Sequence, residues 1–216
     1  MEKSIKDIFV FDVDGTLLPP SGNKFDEESK TALTSVSKYG DVILASARPL
    51  QGIENLFLKE EIKINHIIAL NGALTATENK ISKRFPIASG IVNYFISNSN
   101  AFNNLWFFTE NVWYSSNLNS KEYSVERNAV SFDAVSMDNY QQESVLKITI
   151  VSKSEINSTI QQLKSISEEI EITTSNDSYF EIQSNKTNKF WQAKNCLLIQ
   201  MFGFFLLVIQ TMILNF

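Results

Sequence analysis

Two aspartates one residue apart, Asp12 and Asp14, stand between an apolar run and a glycine in the string Phe9-Val10-Phe11-Asp12-Val13-Asp14-Gly15-Thr16-Leu17-Leu18. Side chains alternate along a strand, so the two carboxylates share one side while Val13 turns away. Two like charges held this close are costly unless a cation or a shared proton relieves them. Hard oxygen donors with no competing thiolate suggest Mg²⁺. The same pair also fits a strand end with two solvated aspartates in a turn. What precedes them is a short run of Val and Phe, the pattern of a strand buried on both faces. Open α/β sheets carry their chemistry at the carboxyl ends of such strands.

A second apolar strand, Val42-Ile43-Leu44-Ala45, ends at Ser46-Ala47-Arg48-Pro49, with a helix to follow through Ile53, Leu56 and Phe57. A hydroxyl at a strand tip beside a helix N-terminus can hold a phosphate oxygen, or it can cap the helix. Arg48 is either a ligand or a surface ion-pair residue. Between the two strands, Pro19 to Asn23 reads as loop and Asp26 to Ser37 as an amphipathic helix closed by Lys38-Tyr39-Gly40. A third apolar strand within Ile62 to Leu70 leads into Asn71-Gly72-Ala73, where Asn71 is a rim residue or a turn residue before glycine. His66, the lone histidine, has no partner in a readable motif and reads as structural.

From about Glu78 to Asn185 the texture changes: Asn and Ser become frequent and no strand ends in a charged signature. Candidate strands are Leu105 to Phe108, Val112 to Tyr114, Leu146 to Val151 and Tyr179 to Ile182, with a helix from Ser154 to Ser167. The aromatics here are core residues or faces on which a sugar could stack.

The string Asp-Val-Asp-Gly-Thr-Leu after an apolar strand resembles the first motif of the haloacid dehalogenase superfamily of phosphatases and phosphotransferases. Ser46-Ala47-Arg48-Pro49 resembles its second motif, with Ala47 where the family carries glycine. Asn71-Gly72-Ala73 resembles the Cof-type sugar-phosphate phosphatases of subclass IIB. The resemblance implies a doubly wound parallel α/β sheet with an inserted α/β cap. The core would take residues 1–77 and 187–216, and the cap residues 78–186. It implies Asp12 as nucleophile forming an aspartyl-phosphate, Asp14 as general acid and then base, and both at a Mg²⁺ site. It further implies Ser46, Arg48 and Asn71 as substrate-binding residues. Lys189, seven residues after Ile182, resembles the lysine of the third motif; Lys186 competes for that role. The implied activity is Mg²⁺-dependent hydrolysis of a small phosphomonoester, a sugar phosphate by the Cof-type likeness, with two alternatives: a phosphomutase using the same aspartates, and a non-catalytic sugar-phosphate-binding remnant.

Composition bounds the rest. With 216 residues, 44% hydrophobic and 16 Phe, the chain can bury a substantial core. A formal charge of −5 and a pI near 5.0 argue against a nucleic-acid partner. One cysteine, Cys196, permits no internal disulfide, and the charged N-terminus lacks a signal peptide's apolar region, so a cytoplasmic location is expected. No sequence feature specifies an oligomeric state.

The tail departs from the family. The fourth motif, usually Gly-Asp-x-x-Asn-Asp, is absent; no charged residue follows Lys194, and the chain runs through an apolar stretch to Phe216. Roughly 20 apolar residues can span a bilayer, but Gln200, Gln210, Thr211 and Asn215 and the lack of a further basic flank argue against an anchor. The genetic code offers another account. One base earlier, the forced G of the Met212 codon and the first two bases of Ile213 spell Asp. A GTG codon at Val208 gives another Asp four codons before it, and the bases between allow Gly-Asp-Thr-Asn-Asn-Asp-Ile-Glu. The expectation is a frameshifted product whose authentic reading is lost near Asn195. Such a chain should turn over little, leave the sheet's apolar edge uncovered, and aggregate.

Overall fold

The computed structural model describes residues 7–19, 24–57, 62–78, 80–152, 161, 168–176, 179–187 and 205–208. They form two six-stranded sheets with four α-helices. The first sheet contains β1 (Asp7–Asp12), β2 (Gly40–Ala45), β3 (His66–Ala69), β4 (Leu74–Thr77), β5 (Lys80–Arg84) and β12 (Phe205–Val208), in the order β12-β1-β2-β3-β4-β5. Its first four strands are parallel, and β4 and β5 are antiparallel additions. Helices α1 (Glu27–Val36) and α2 (Leu50–Phe57) connect the parallel strands. The mixed α/β core therefore has the expected class, and this sheet continues past residue 77 to Arg84.

Local chemistry explains these elements. Val10, Val42, Ile43, Leu44, Ile68 and Ala69 are buried, as the continuous apolar runs of parallel strands require. Asp26 caps α1 by accepting the Ser29 amide at 2.7 Å, and Glu27 and Glu28 sit in the first turn where the helix dipole favours them. Glycine is required at position 40, because a Cβ there would stand 2.0 Å from the Asp7 carbonyl oxygen across the β1–β2 ladder. His66 opens β3 with Nδ1 3.0 Å from the Thr77 hydroxyl, and partial burial pushes its imidazole below the usual range, which fits the structural role expected of it.

The second sheet contains β6 (Asn104–Phe108), β7 (Trp113–Ser115), β8 (Val135–Ser136), β9 (Lys147–Val151), β10 (Ile170–Asn176) and β11 (Tyr179–Ser184), in the order β10-β11-β9-β6-β7-β8. It is antiparallel apart from the β7–β8 pair. Helices α3 (Ser89–Ser97) and α4 (Lys121–Val130) belong to the same region. Alternation along its strands sorts the two faces. Leu105, Phe107, Ile148, Ile150, Phe180 and Ile182 pack with Ile91, Val92 and Phe95 of α3 in one cluster. Trp106, Phe108 and Val151 join the cluster that holds Phe11, Leu44, Ile53 and Leu70 of the first sheet's unit. The second sheet thus turns one face toward the first sheet's strand tips. The helix expected over 154–167 lies outside the described residues.

One expectation is corrected. The edge of β1 is not left uncovered, because Phe205–Val208 pairs with it in parallel, from Ile8 opposite Phe205 to Phe11 opposite Val208. A strand buried in a parallel sheet needs only a continuous apolar run, and the tail supplies one. Among the described residues no helix is long and apolar enough to cross a membrane.

Candidate active site

β1 and β2 run side by side with Asp12 opposite Ala45, so the two motif loops leave the sheet at one level. After β1 the chain turns tightly. The Val13 carbonyl accepts the Leu17 and Leu18 amides at 3.0 and 2.9 Å, and the Gly15 amide returns to the Leu18 carbonyl at 2.9 Å. Gly15 sits at φ +78°, a conformation that glycine adopts without steric cost. This turn lifts Asp14 into a half-exposed position while Val13 is buried beneath it.

Asp14 is the most heavily engaged acid of the site. The Arg48 Nε donates to its Oδ1 at 2.9 Å and to its Oδ2 at 3.2 Å, and Nη2 donates to Oδ1 at 2.7 Å. The Ser46 hydroxyl, fully buried, donates to Oδ2 at 3.1 Å and accepts the Arg48 amide at 3.0 Å. The cation that the paired aspartates call for is therefore supplied in part by the chain, as a guanidinium clamped on Asp14. Ser46 does not cap the following helix, since the amide it accepts is that of Arg48, ahead of α2 at Leu50; its hydroxyl is set against Asp14 instead. Arg48 is no surface ion-pair residue: it is 9% exposed, and its Nη1 donates to the Ala129 carbonyl near the end of α4.

Asn71 follows β3 in an unusual bend. Leu70 and Asn71 both have left-handed backbones, at φ 49° and 52°, ahead of Gly72 at φ 102°. Such conformations cost on the order of 1–3 kcal/mol each and persist where surrounding bonds enforce them. Here the Leu70 amide donates to the Arg48 carbonyl at 2.9 Å and the Asn71 amide to the Ser46 carbonyl at 3.0 Å. The Asn71 side chain then donates to Glu181 Oε2 at 3.1 Å and Gln183 Oε1 at 3.3 Å, both on β11. The bend ties the second motif to the opposite sheet.

That opposite sheet brings residues which the sequence reading did not single out. Lys147, 3% exposed at the start of β9, donates to Glu181 Oε1 and to the Ala47 carbonyl, each at 3.2 Å, and lies 4.7 Å from the Phe108 ring centroid. Glu126 of α4 is half-buried, and loss of hydration raises its carboxyl above the usual range; Lys147 opposes that shift, Glu181 adds to it, and Arg48 and Asp14 make smaller contributions. A faint signal was present: Leu146-Lys147-Ile148-Thr149-Ile150 places a lysine inside an otherwise apolar strand. The Glu126 position, on a polar helix, gave none.

Asp12, Asp14, Ser46 and Arg48 are thus gathered at adjoining strand tips, with Asn71 bonded to the same loop. Lys189 lies outside the described residues, and its competitor Lys186 is exposed in the turn after β11. Asp12 and Asp14 are hard oxygen donors of the kind Mg²⁺ takes. No group of three or more His, Cys, Asp or Glu side chains suited to a metal is found among the described residues. Water and substrate oxygens ordinarily complete such a shell.

The Arg48 geometry makes a prediction. Arg48→Lys keeps the charge but loses the fork that spans Asp14 and Ala129, so kcat/KM for phosphate release should fall about tenfold or more with little recovery over Arg48→Ala. Steady-state kinetics on both variants checks it; full activity in Arg48→Lys would reduce the residue to a point charge.

Comparison with solved structures finds the same fold. A haloacid dehalogenase-like hydrolase from Bacteroides thetaiotaomicron aligns with TM-score 0.75 at 17% identity, over 91% of this chain and 77% of that one. A haloacid dehalogenase-like hydrolase from B. subtilis gives 0.72 at 19%, over 89% and 78%. A subclass IIB sugar phosphatase of the superfamily gives 0.69 at 16%, over 92% and 77%. A search of curated proteins finds no match. The family model described as haloacid dehalogenase-like hydrolase matches residues 9–202, from the first motif through the second sheet and beyond. With both motif loops converging on one pair of strand tips and the match spanning most of its length, the chain belongs to the haloacid dehalogenase-like hydrolases.

Proposed function

We propose that this chain is built for Mg²⁺-dependent hydrolysis of a small phosphomonoester, a sugar phosphate by the subclass IIB likeness, through an aspartyl-phosphate on Asp12. The observation that carries the reading is the convergence of Asp12 and Asp14 with Ser46 and Arg48 at neighbouring strand tips. Asp12 attacks phosphorus in line and displaces the leaving oxygen. Asp14, two residues on, protonates that oxygen and afterwards takes a proton from the attacking water. Arg48 and Ser46 fix the orientation of the Asp14 carboxyl through both transfers. Lys189 serves as the cation at the phosphate, and Asn71 supports the rim. Mg²⁺, held by Asp12 and Asp14, would supply charge that offsets repulsion between nucleophile and phosphate. The second sheet closes over the site, excludes water and faces the substrate's remaining atoms. We assign residues 85–186 to this cap, its start moved on from residue 78 because Lys80–Arg84 is a strand of the first sheet, and place the protein in the cytoplasm.

On the same reading turnover is slow, because residues 187–216 contain no Gly-Asp-x-x-Asn-Asp string to add carboxylates to the metal site. The frameshift account gains support from register. Val208 lies opposite Phe11, one residue before Asp12. In the earlier frame the first Asp of Gly-Asp-Thr-Asn-Asn-Asp directly follows that position. The test is phosphate release from a generic phosphomonoester with and without Mg²⁺, with product analysis. Slow, metal-dependent release to water supports the proposal. Transfer between hydroxyls in preference to water would make the chain a phosphomutase, and ligand binding with no transfer would make it a binding remnant.

A further inference from the structure

The end of α4 rests on one side of α2. A helix C-terminus leaves its last carbonyls without partners inside the helix, and they carry the negative end of its dipole. In α4 three successive carbonyls, those of Ala129, Val130 and Ser131, are met from the α2 side. Arg48 Nη1 donates to the first. Asn55 Nδ2 donates to the third at 3.3 Å. Between them, the Val130 carbonyl lies where a Cβ on Gly52 would stand 2.9 Å away, so a side chain at position 52 would have to push the α4 backbone off. Arg48, Gly52 and Asn55 follow one another at intervals of four and three residues, which keep residues on one side of a helix. The Val130 side chain, 2% exposed, packs in the cluster that holds Leu50, Ile53 and Leu56 of α2. Ser131 closes α4 in a left-handed conformation at φ 65°, a cap that glycine usually supplies, with its amide returned to the Arg127 carbonyl at 2.9 Å.

This contact reaches the acid of the site through one side chain. Arg48 spends Nη1 on the Ala129 carbonyl and Nε and Nη2 on Asp14. A guanidinium is planar and its nitrogens are fixed relative to one another, so a shift of the Ala129 carbonyl turns the group that holds Asp14. We propose that Gly52 and Asn55 are positioning residues for the proton transfers at Asp14. They seat the α4 carbonyls against α2, and the seated Ala129 carbonyl sets the guanidinium plane in which the Asp14 carboxylate is held. The inference rests on the phosphatase reading, in which Asp14 protonates the leaving oxygen.

Two readouts on the full chain test it. The first is kcat/KM for glucose 6-phosphate and for p-nitrophenyl phosphate, which reports every step up to departure of the leaving group. A sugar alkoxide needs the proton of Asp14, whereas p-nitrophenolate leaves without it. Gly52→Ala should lower kcat/KM for the sugar phosphate about tenfold or more and for the aryl phosphate less than about threefold. Asn55→Ala should move the same ratio in the same direction by less, and it decides the matter should Gly52→Ala fail to fold. The second readout needs no turnover. Exchange of the Arg48 Nε proton with water, followed by NMR and assigned with Arg48→Lys, should quicken about tenfold in Gly52→Ala and to a smaller degree in Asn55→Ala. Ile91→Val, in the separate cluster around α3, controls for a general loss of stability and should leave both readouts alone. An exchange rate unmoved in both variants, or rates on the two esters that fall together or not at all, would overturn the inference and leave the phosphatase reading standing. A parent that releases phosphate from neither ester would count against the phosphatase reading itself, and the inference would fall with it.

Discussion

Rewriting residues 208–215 in the earlier frame as Gly-Asp-Thr-Asn-Asn-Asp-Ile-Glu, so that the first Asp directly follows β12, should raise Mg²⁺-dependent phosphate release about a hundredfold or more. A metal that stabilises a transferring phosphoryl group contributes several kcal/mol, and each 1.36 kcal/mol is a tenfold change in rate. On the proposed reading the metal would be held by Asp12 and Asp14 among the described residues, and Asp14 is already clamped by Arg48 and Ser46. β12 runs parallel to β1 and reaches Val208 opposite Phe11, so residues added after it begin level with Asp12. The measurement is the initial rate of both forms at saturating Mg²⁺. Equal rates would show the tail to be harmless. Coding DNA whose bases do not permit the shifted string would end the frameshift proposal directly.

The second large effect concerns the Lys147–Glu181 pair of the second sheet, whose members also bond the Ala47 carbonyl and Asn71 at the first sheet's strand tips. Lys147→Met should destabilise the fold by about 3 kcal/mol, because removing one partner of a buried pair strands the other charge. Among the described residues Glu181 would keep Asn71 as its donor, and the Ala47 carbonyl would lose its lysine. For a domain of this size that corresponds to a fall in Tm of about 6–12 °C. Adding Glu181→Gln should recover much of the loss, since the stranded charge is then gone; the double-mutant cycle isolates the pair. A single variant that melts with the parent would mean the buried pair contributes nothing to the stability of the fold.

Much of the first sheet was legible because its strands are apolar on both faces and end in charge or glycine. Val42 to Ala45, the capped helix after Asp26 and the Leu50–Phe57 helix all follow from local pattern. The site aspartates and Ser46 were legible for the same reason: chemistry at strand tips leaves a sharp change of polarity in sequence. The Asp14–Arg48 clamp was not, since 34 residues separate its members and only the β1–β2 pairing brings them together. The second sheet's half of the site was harder still. Lys147 and Glu181 look like scattered charges until the β9–β11 ladder aligns their strands. The tail was read as leaving the sheet's apolar edge uncovered because it carries no motif, whereas a parallel strand requires only an apolar run. In Phe205–Val208 it became the strand.

The most direct test of the account is to find the phosphoryl group on the protein. Acid-quenched chain, with its present tail and with the restored one, should carry a phosphoryl label on the peptide spanning Asp12 after exposure to Mg²⁺ and a phosphomonoester. Asp12→Asn should abolish both the label and phosphate release. Release that survives in Asp12→Asn, or a restored-tail protein that neither labels nor turns over, would contradict the central claim.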